Sequence, residues 1–442
     1  MRILLLQTVS DRNQPWARFD HCLGILSSLL KYDGFTLEML TTRGHDPRAL
    51  YRAVVQARPQ FVIAIVRPAS HSAMRRNLAW LAENYPLPVL AIGPYASARP
   101  AEVFAFPGIQ AMIVGEYERP AAAYLAAVRD GAEPEGIAGL WTQRQGRIER
   151  TALGGLVRDL DELPHPDRTI FPTRNCIEQT GEFPIKAARG CSRWCGYCVN
   201  DWFHDLYKEP DHFLRYRSCE DVIDEVATAL STWPQIRTIR FLDHALLSDR
   251  DWAGQLAGEW SRRISSPTTC HVRLEEFAPT DIELLEGLSC GRVHTQIASG
   301  SSFIRNEIFG MDLSDERIRS VCATLAEADI AVSADVFVGC PYETEISIED
   351  TLELLWSIRL EKVNVKIFHP FPATRAEELC GEQGWITARS VRGRNPNQPV
   401  LDMPSLGADK IIEIARKLPG LVQKGPRARA RKAFARINRR RR

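Results

Sequence analysis

Short apolar runs alternate with amphipathic stretches along the chain, and this rhythm limits the possible folds more than any other feature of the sequence. Four runs suited to buried strands fall in the first 150 residues, at 3–7, 61–66, 89–92 and 111–114. Helical patterns lie among them at 22–32, 74–84 and 120–129. Alternating strands and helices predict an open parallel sheet, whose ligands bind beyond the carboxyl ends of the strands. We therefore predict a doubly wound, Rossmann-like α/β domain at 1–150.

A second series of the same kind begins at residue 183, after a segment rich in charge and proline that we interpret as a linker (151–182). Its strand-like runs lie at 184–188, 238–242, 269–274, 293–297, 331–338 and 363–368. Helical patterns separate these runs at 220–230, 251–264, 281–288, 315–328 and 348–358. Six strands separated by helices predict a partial (β/α)6 barrel at 183–385, with the chemistry at the carboxyl ends of its strands. A C-terminal extension follows at 386–442.

The composition argues against a membrane-spanning or secreted protein. The chain is 45% hydrophobic and 25% charged, has no apolar run of membrane-spanning length, and starts with an apolar run too short for a secretory signal. We expect a cytoplasmic protein with no membrane partner. Its 11 cysteines are scattered and odd in number, which favours reduced thiols or metal ligands over disulfides.

The charge is segregated along the chain. Residues 424–442 contain ten Lys or Arg and no acid, whereas the remaining residues contain 46 basic and 55 acidic side chains. Such a tail is either a solvated end or a surface that attracts nucleic acid or an acidic partner. We favour the solvated end, and we expect no nucleic-acid partner for the acidic body.

Three cysteines stand close together immediately after the first predicted barrel strand. Cys191, Cys195 and Cys198 have the spacing C-x3-C-x2-C. Three thiolates on one loop can bind three corners of an iron-sulfur cubane, and they leave the fourth iron open to a small molecule. The alternative is a zinc site completed by a distant ligand such as His204 or His212.

The cysteine loop resembles the signature of the radical S-adenosylmethionine (SAM) superfamily, with Tyr197 as the aromatic residue before the last cysteine. The resemblance implies a 4Fe-4S cluster on Cys191, Cys195 and Cys198, with the amino and carboxylate groups of SAM on the open iron. One electron then cleaves SAM to methionine and a 5'-deoxyadenosyl radical. An electron donor is therefore an expected partner.

Two later strand ends resemble SAM-binding segments of the same superfamily, although Ala298 and Met311 depart from the usual pattern at the first of them. By this resemblance the SAM-binding residues, together with Tyr197, are Ser299, Gly300, Ser301 and Arg305 after the fourth strand, and Val338, Gly339 and Pro341 after the fifth.

The first domain resembles the cobalamin-binding domain of one radical SAM subgroup, through Gly24, the loop at 93–96, the strand end at 114–118 and the linker at 160–164. The Asp-x-His-x-x-Gly motif that supplies an axial histidine is absent, because Phe19 occupies the acidic position before His21 and Gly24. The loop at 67–69 is also altered. The resemblance supports the fold, and it leaves cobalamin binding open.

Four acidic residues near predicted strand ends suggest the chemistry: Asp243, Glu275, Glu276 and Asp335. Carboxylates in a barrel mouth suit a cationic or polyhydroxylated small-molecule substrate, although each could instead pair with neighbours such as Arg273 or His244. Together with the altered corrin loops, they favour dehydration of an amino sugar in antibiotic biosynthesis, with Asp243 or Glu276 as the base. The alternative is a cobalamin-dependent C-methyltransferase. A nucleic-acid-binding sensor is a third, weaker hypothesis.

Overall fold

The computed structural model describes residues 1–9, 16, 19–144, 147–209, 212–387 and 397–425. These residues form two compact units. Among the described residues, one comprises 1–181 and 202–215, and the other comprises 182–201, 216–387 and 397–425. No helix of the described residues is long and apolar enough to cross a membrane.

The first unit is a seven-stranded sheet with helices on both faces, in the order β2-β1-β3-β4-β5-β6-β7. Strands β1 to β5 are parallel, and β6 and β7 continue the sheet as an antiparallel hairpin. The strands are β1 (Arg2–Val9), β2 (Thr36–Arg43), β3 (Phe61–Ile65), β4 (Val89–Ile92), β5 (Ile109–Ile113), β6 (Leu140–Arg144) and β7 (Arg147–Arg150). The helices are α1 (His21–Tyr32), α2 (Pro47–Ala57), α3 (His71–Asn84), α4 (Pro94–Ala98), α5 (Pro100–Phe104), α6 (Glu118–Asp130) and α7 (Thr173–Thr180).

Strand β1 explains why this sheet is covered on both faces. Its residues 3–6 are apolar without alternation, and they divide between two hydrophobic cores, with Ile3 and Leu5 in one and Leu4 and Leu6 in the other. Continuous apolar strands of this kind are typical of parallel sheets that bury both faces. Nearly all of the predicted linker, residues 151–181, belongs to this unit, and Gly24 of α1 lies against Pro166 of that segment.

The second unit is a six-stranded parallel sheet in the order β15-β14-β13-β12-β11-β8, so that each strand pairs with the next barrel strand along the chain. Its strands are β8 (Glu182–Ile185), β11 (Thr238–Phe241), β12 (Thr268–His271), β13 (Cys290–Ala298), β14 (Ala331–Val338) and β15 (Lys362–Ile367). Two short strands, β9 (Ala188–Arg189) and β10 (Arg215–Tyr216), lie outside this sheet. The helices from residue 199 onward are α8 (Val199–Tyr207), α9 (Cys219–Thr232), α10 (Arg250–Arg263), α11 (Asp281–Gly287), α12 (Asp315–Glu327), α13 (Glu345–Trp356), α14 (Arg375–Glu382) and α15 (Ala408–Lys424).

Helix caps and apolar contacts fix this half-barrel. The helices α9, α10, α12, α13 and α14 each follow a polar residue whose side chain accepts a hydrogen bond from a backbone N–H of the first turn: Ser218, Asp249, Ser314, Thr344 and Thr374. Phe241 packs on Trp260 of α10, 5.3 Å between ring centroids. Since alternate side chains of a strand point to opposite faces, the intervening residues face away from the helices.

The predicted fold class, a doubly wound α/β domain followed by a parallel half-barrel, is confirmed. Helix α15 of the predicted C-terminal extension packs on β15 and α13 and belongs to the second unit. The basic residues from 427 onward lie outside the described residues.

Candidate functional site

The three motif cysteines lie on the loop that follows β9. Cys191 and Cys195 are 5% and 6% exposed, and Cys198 is half-buried. Gly190 enters the loop with a φ of 92°, a conformation that favours glycine. The N–H of Cys198 donates to the carbonyl of Cys195 over 2.8 Å, which folds the second half of the motif into a tight turn.

Backbone hydrogen bonds fix this loop from two sides. The N–H of Gly196 donates to the Phe309 carbonyl (2.9 Å), and the N–H of Ala376 donates to the Gly196 carbonyl (2.8 Å). The Arg375 guanidinium donates to the Trp194 carbonyl over 2.8 Å. Residues distant in sequence therefore hold the central part of the motif, as a preorganised cluster site requires.

Arg273 contacts the sulfurs directly. Its guanidinium lies 3.5 Å from Cys191 Sγ and 3.8 Å from Cys195 Sγ, and it also forms an ion pair with Glu275. A partly buried cation beside two cysteines favours their thiolate forms, which are the forms that bind metal, and at Cys195 it acts against burial, which raises the pKa of the thiol. Arg273 was not among the residues predicted to serve the cluster. Its position just beyond the end of β12 was the available signal.

The donor set fits an iron-sulfur cluster better than zinc. Within the described ranges, no three His, Cys, Asp or Glu side chains converge as the ligands of a single metal ion would. Cluster ligands need not converge on one atom, because each thiolate binds a different iron. This arrangement gives no support to the zinc alternative with His204 or His212 as an added ligand.

Tyr197 anchors the motif in an aromatic cluster. Its ring lies 4.7 Å from Phe309 and 5.5 Å from Phe337, measured between centroids. Burial raises the pKa of the Tyr197 hydroxyl well above its usual value. Tyr197 therefore positions the loop through apolar contacts, and its contact with SAM stays a prediction.

The turn after β13 is built around Gly300. Its N–H donates to Thr351 Oγ1 of α13 over 2.7 Å, and a Cβ at this position would lie 2.1 Å from the Thr351 Cα. Ser299 is buried, and its hydroxyl accepts from the Ser301 N–H over 3.2 Å. Only glycine allows this approach of two backbones.

Arg305 stabilises the turn that follows β13, and its contact with SAM stays a prediction. Its side chain is fully buried, and it donates to the carbonyls of Ser299 (2.7 Å) and Leu313 (3.0 Å) and forms an ion pair with Asp315. The guanidinium therefore supplies hydrogen bonds to buried backbone carbonyls of the turn.

The turn after β14 contains the other predicted SAM-binding residues. Val338 and Pro341 are buried, and Gly339 has a φ of 84° with α15 close by, since a Cβ would lie 3.0 Å from Ile411. The carboxylate of Glu343 accepts from the N–H of Gly339 (2.5 Å) and of Cys340 (3.3 Å). Glu343, which the sequence analysis passed over, is thus the residue that shapes this turn.

Glu343 predicts a pH dependence of stability. Burial raises its pKa from 4.5 to about 8, even though two backbone N–H groups favour the charged form. The folded state therefore holds a proton that the unfolded state has released between these values. Its contribution to stability is complete below pH 4.5 and is lost as the pH rises through about 8.

As the pH rises from 4.5 to about 8, we expect the Glu343→Gln variant to lose less stability than the wild type. Thermal unfolding in matched buffers measures the difference. Glu345→Gln, at the partly exposed start of α13, is the control and should follow the wild-type profile. Parallel profiles for wild type and Glu343→Gln would contradict the assignment.

Two of the four predicted catalytic carboxylates have structural roles. Asp243 is 4% exposed and accepts from the N–H groups of Ala187 and Ala188 (2.8 and 3.0 Å), so it supports the chain as it enters the cysteine loop. Burial raises the pKa of Asp243, against the opposing effects of Lys186 and these hydrogen bonds. Glu275 is paired with Arg273. The role of Asp243 as the base stays a prediction, to which these two hydrogen bonds give no support.

The other two carboxylates are also engaged. Glu276 accepts from Ser192 Oγ (2.9 Å) and Ser248 Oγ (2.7 Å). Asp335 accepts from Asn364 Nδ2 (2.9 Å), lies 3.0 Å from His294 Nε2, and pairs with Lys366. Burial alone would raise the pKa of Asp335, but His294 and Lys366 hold it well below its usual range. A free carboxylate for a cationic substrate is therefore missing among these four.

Comparisons with known proteins agree with the cysteine site. The family model of the radical SAM superfamily matches residues 185–355. The chain is 22% identical over 313 residues to an uncharacterized methyltransferase of Pyrococcus horikoshii, a match that covers 70% of this chain and 66% of the relative. It spans about half to two thirds of the length of the curated relatives it matches.

Two solved structures share the fold at low sequence identity. The radical SAM methyltransferase TsrM from Kitasatospora setae, with cobalamin and a 4Fe-4S cluster bound, is 17% identical and superposes with a TM-score of 0.68 over 86% of this chain and 75% of its own. OxsB, a cobalamin-dependent SAM radical enzyme, is 12% identical with a TM-score of 0.69 over 98% of this chain and 70% of its own. The cysteine loop and most of the parallel half-barrel thus lie within the part of this chain that is similar to the radical SAM superfamily.

Proposed function

We propose that this protein transfers a methyl group from SAM to a carbon atom of a small-molecule substrate, with cobalamin as the methyl carrier. The observation that carries the proposal is the pairing, in one chain, of a cysteine-bearing half-barrel with a doubly wound unit, as in TsrM and OxsB. TsrM and the Pyrococcus relative are both named as methyltransferases. The amino-sugar dehydratase hypothesis depended on free carboxylates, and the four candidates are engaged by protein groups.

In the first unit, the loops after β3 and β4 have features that fit cobalamin binding. Ser70, which precedes α3, is 4% exposed, and its hydroxyl has no hydrogen-bond partner in the described part of the chain. A buried hydroxyl without a partner is costly unless a ligand or water supplies the bond. Gly93 has a φ of 108°, and a Cβ there would lie 2.9 Å from the Val66 carbonyl oxygen, so the β3 and β4 loops run side by side. Bound at this edge, cobalamin would supply a centre that accepts and donates methyl groups.

The half-barrel would hold the remaining reactants. Cys191, Cys195 and Cys198 provide three thiolates for the cluster, and the missing fourth protein ligand leaves room for the amino and carboxylate groups of SAM. The turns at 299–301 and 338–341 follow adjacent parallel strands, so they lie at one edge of the sheet. Their backbone and hydroxyl groups would bind the ribose and adenine of SAM.

The test is anaerobic reconstitution with iron, sulfide and cobalamin, followed by incubation with methyl-deuterated SAM. Tryptophan, the substrate bound in one TsrM structure, is the first acceptor to try. We expect bound cobalamin and S-adenosylhomocysteine formed in step with a deuterated product. A protein that excludes cobalamin yet cleaves SAM to 5'-deoxyadenosine would contradict the proposal.

A matched pair of variants tests the cobalamin edge. Ser70→Leu should weaken cobalamin retention by about tenfold, because it removes a buried hydroxyl and fills its space. Ser72→Leu, in the first turn of α3, should retain cobalamin as the wild type does. Equal retention by both variants would place the carrier elsewhere.

A further inference from the structure

One loop of the half-barrel contacts the cysteine motif at two points. We call residues 273–277, which follow β12, the β12 loop. Arg273 at its start lies 3.5 and 3.8 Å from the sulfurs of the first two motif cysteines. Glu276, near its end, accepts a hydrogen bond from the hydroxyl of Ser192 over 2.9 Å. Since Ser192 lies between these two cysteines in the sequence, both contacts fall on the first half of the motif.

Two arginines hold the β12 loop in place through its backbone. Arg250, the first residue of α10, donates to the carbonyl of Glu276 over 2.7 Å. Arg317 of α12 donates to the carbonyl of Leu274 over 3.0 Å and to that of Phe277. Guanidinium groups of two helices therefore fix three carbonyls within four residues. A loop supported in this way presents the Glu276 side chain in a defined position, as a preorganised site requires.

The carboxylate of Glu276 connects three loops of this unit. One oxygen accepts from Ser192 Oγ, and the other accepts from Ser248 Oγ over 2.7 Å. Ser248 lies in the loop after β11, and the two hydroxyl oxygens are 3.5 Å apart. Hydrogen bonds to a carboxylate are stronger than those between neutral groups. The cysteine loop is therefore tied through one side chain to the loops after β11 and β12.

We propose that Glu276 is a positioning residue for the iron-sulfur cluster. By holding Ser192, it keeps the preceding thiolate of Cys191 beside Arg273, where the first corner of the cluster is bound. The backbone hydrogen bonds of Gly196 do the same for the second half of the motif. Glu276 acts through Ser192 and needs no contact with the substrate. The inference does not depend on methyl transfer, because any reaction of the cluster requires the same three ligands.

The test measures how fast the full-length, cluster-loaded protein releases iron to a ferrous chelator. The assay is anaerobic and contains no SAM, cobalamin or substrate. We expect Ser192→Ala to release iron about tenfold faster than the wild type, as the loss of one hydrogen bond to a charged group permits. Ser192→Thr keeps the hydroxyl, and the added methyl group falls at an exposed position, so its rate should match that of the wild type.

Ser261→Ala is the matched control. Ser261 is an exposed residue of α10 whose hydroxyl donates to the Gly258 carbonyl of the same helix over 3.1 Å. Its replacement removes a hydroxyl of the same kind outside the cysteine loop, so iron release should keep the wild-type rate. A wild-type rate in Ser192→Ala, or a fast rate in Ser192→Thr, would overturn the proposal.

Glu276→Ala tests whether Ser192 acts through this carboxylate. In the Glu276→Ala background, Ser192→Ala should change the rate of iron release by less than about twofold, because the hydrogen bond is already lost. A full tenfold effect in that background would contradict the proposal. If Glu276→Ala holds no iron, the two Ser192 variants decide the question by themselves. A failed methyl-transfer assay leaves this measurement unchanged, so the two proposals are tested separately.

Discussion

Replacing Cys191, Cys195 or Cys198 by alanine, one at a time, should reduce cleavage of SAM below detection. Each thiolate binds a different corner of the cluster, so the loss of one opens a second iron and destabilises the whole assembly. Reconstituted wild type should contain about four irons per chain, and each variant markedly fewer. Iron and sulfide analysis, together with chromatographic detection of 5'-deoxyadenosine, measures both effects.

Cys322→Ala provides the matched control, because Cys322 is a buried cysteine of α12 outside the motif. Truncation of a small buried side chain should cost about 1 kcal/mol of stability and leave iron content unchanged. Full SAM cleavage by any of the three motif variants would show that the ligand assignment is wrong.

Among Gly→Ala substitutions in the half-barrel, Gly300→Ala should reduce stability the most. The new Cβ would lie 2.1 and 2.3 Å from the Cα and N atoms of Thr351, which belong to the backbone of α13. Backbone cannot rotate aside as a flexible side chain can, so α13 or the turn after β13 must shift. We expect a loss of about 3 kcal/mol or more in the free energy of unfolding, together with weaker SAM binding. Denaturant unfolding and equilibrium dialysis with SAM measure the two effects.

Gly291→Ala separates this clash from a general effect of glycine. Gly291 lies in the same strand, β13, and a Cβ there would meet no atom within 4 Å. Its replacement should change stability by less than about 0.5 kcal/mol. If the two variants were equally stable, the close packing of the β13 turn on α13 would be wrong.

Local sequence patterns predicted the buried strands well and the exposed ones poorly. The run at 331–338 coincides with β14, because nearly all its residues are buried. Strand β2 was missed, since half-exposed polar residues interrupt its apolar pattern. Strand β7 was also missed, because all four of its residues are exposed.

In the candidate site too, local features were predicted from the sequence, whereas contacts between distant residues were not. The cysteine spacing is a local property, so the sequence alone revealed it. The carboxylates were noticed at their strand ends, but their roles depend on partners such as Lys366, 31 residues from Asp335. Arg273 lies 82 residues from Cys191, and no local pattern could have joined them.

The guanidinium beside the cysteine sulfurs also bears on electron supply. Reduction adds one negative charge to a cluster, and a nearby cation with N–H groups directed at the ligand sulfurs favours the reduced form. Arg273 is therefore expected to raise the midpoint potential of the cluster, while its ion pair with Glu275 moderates the effect. The cluster should then accept its electron at a less negative potential than it would without Arg273.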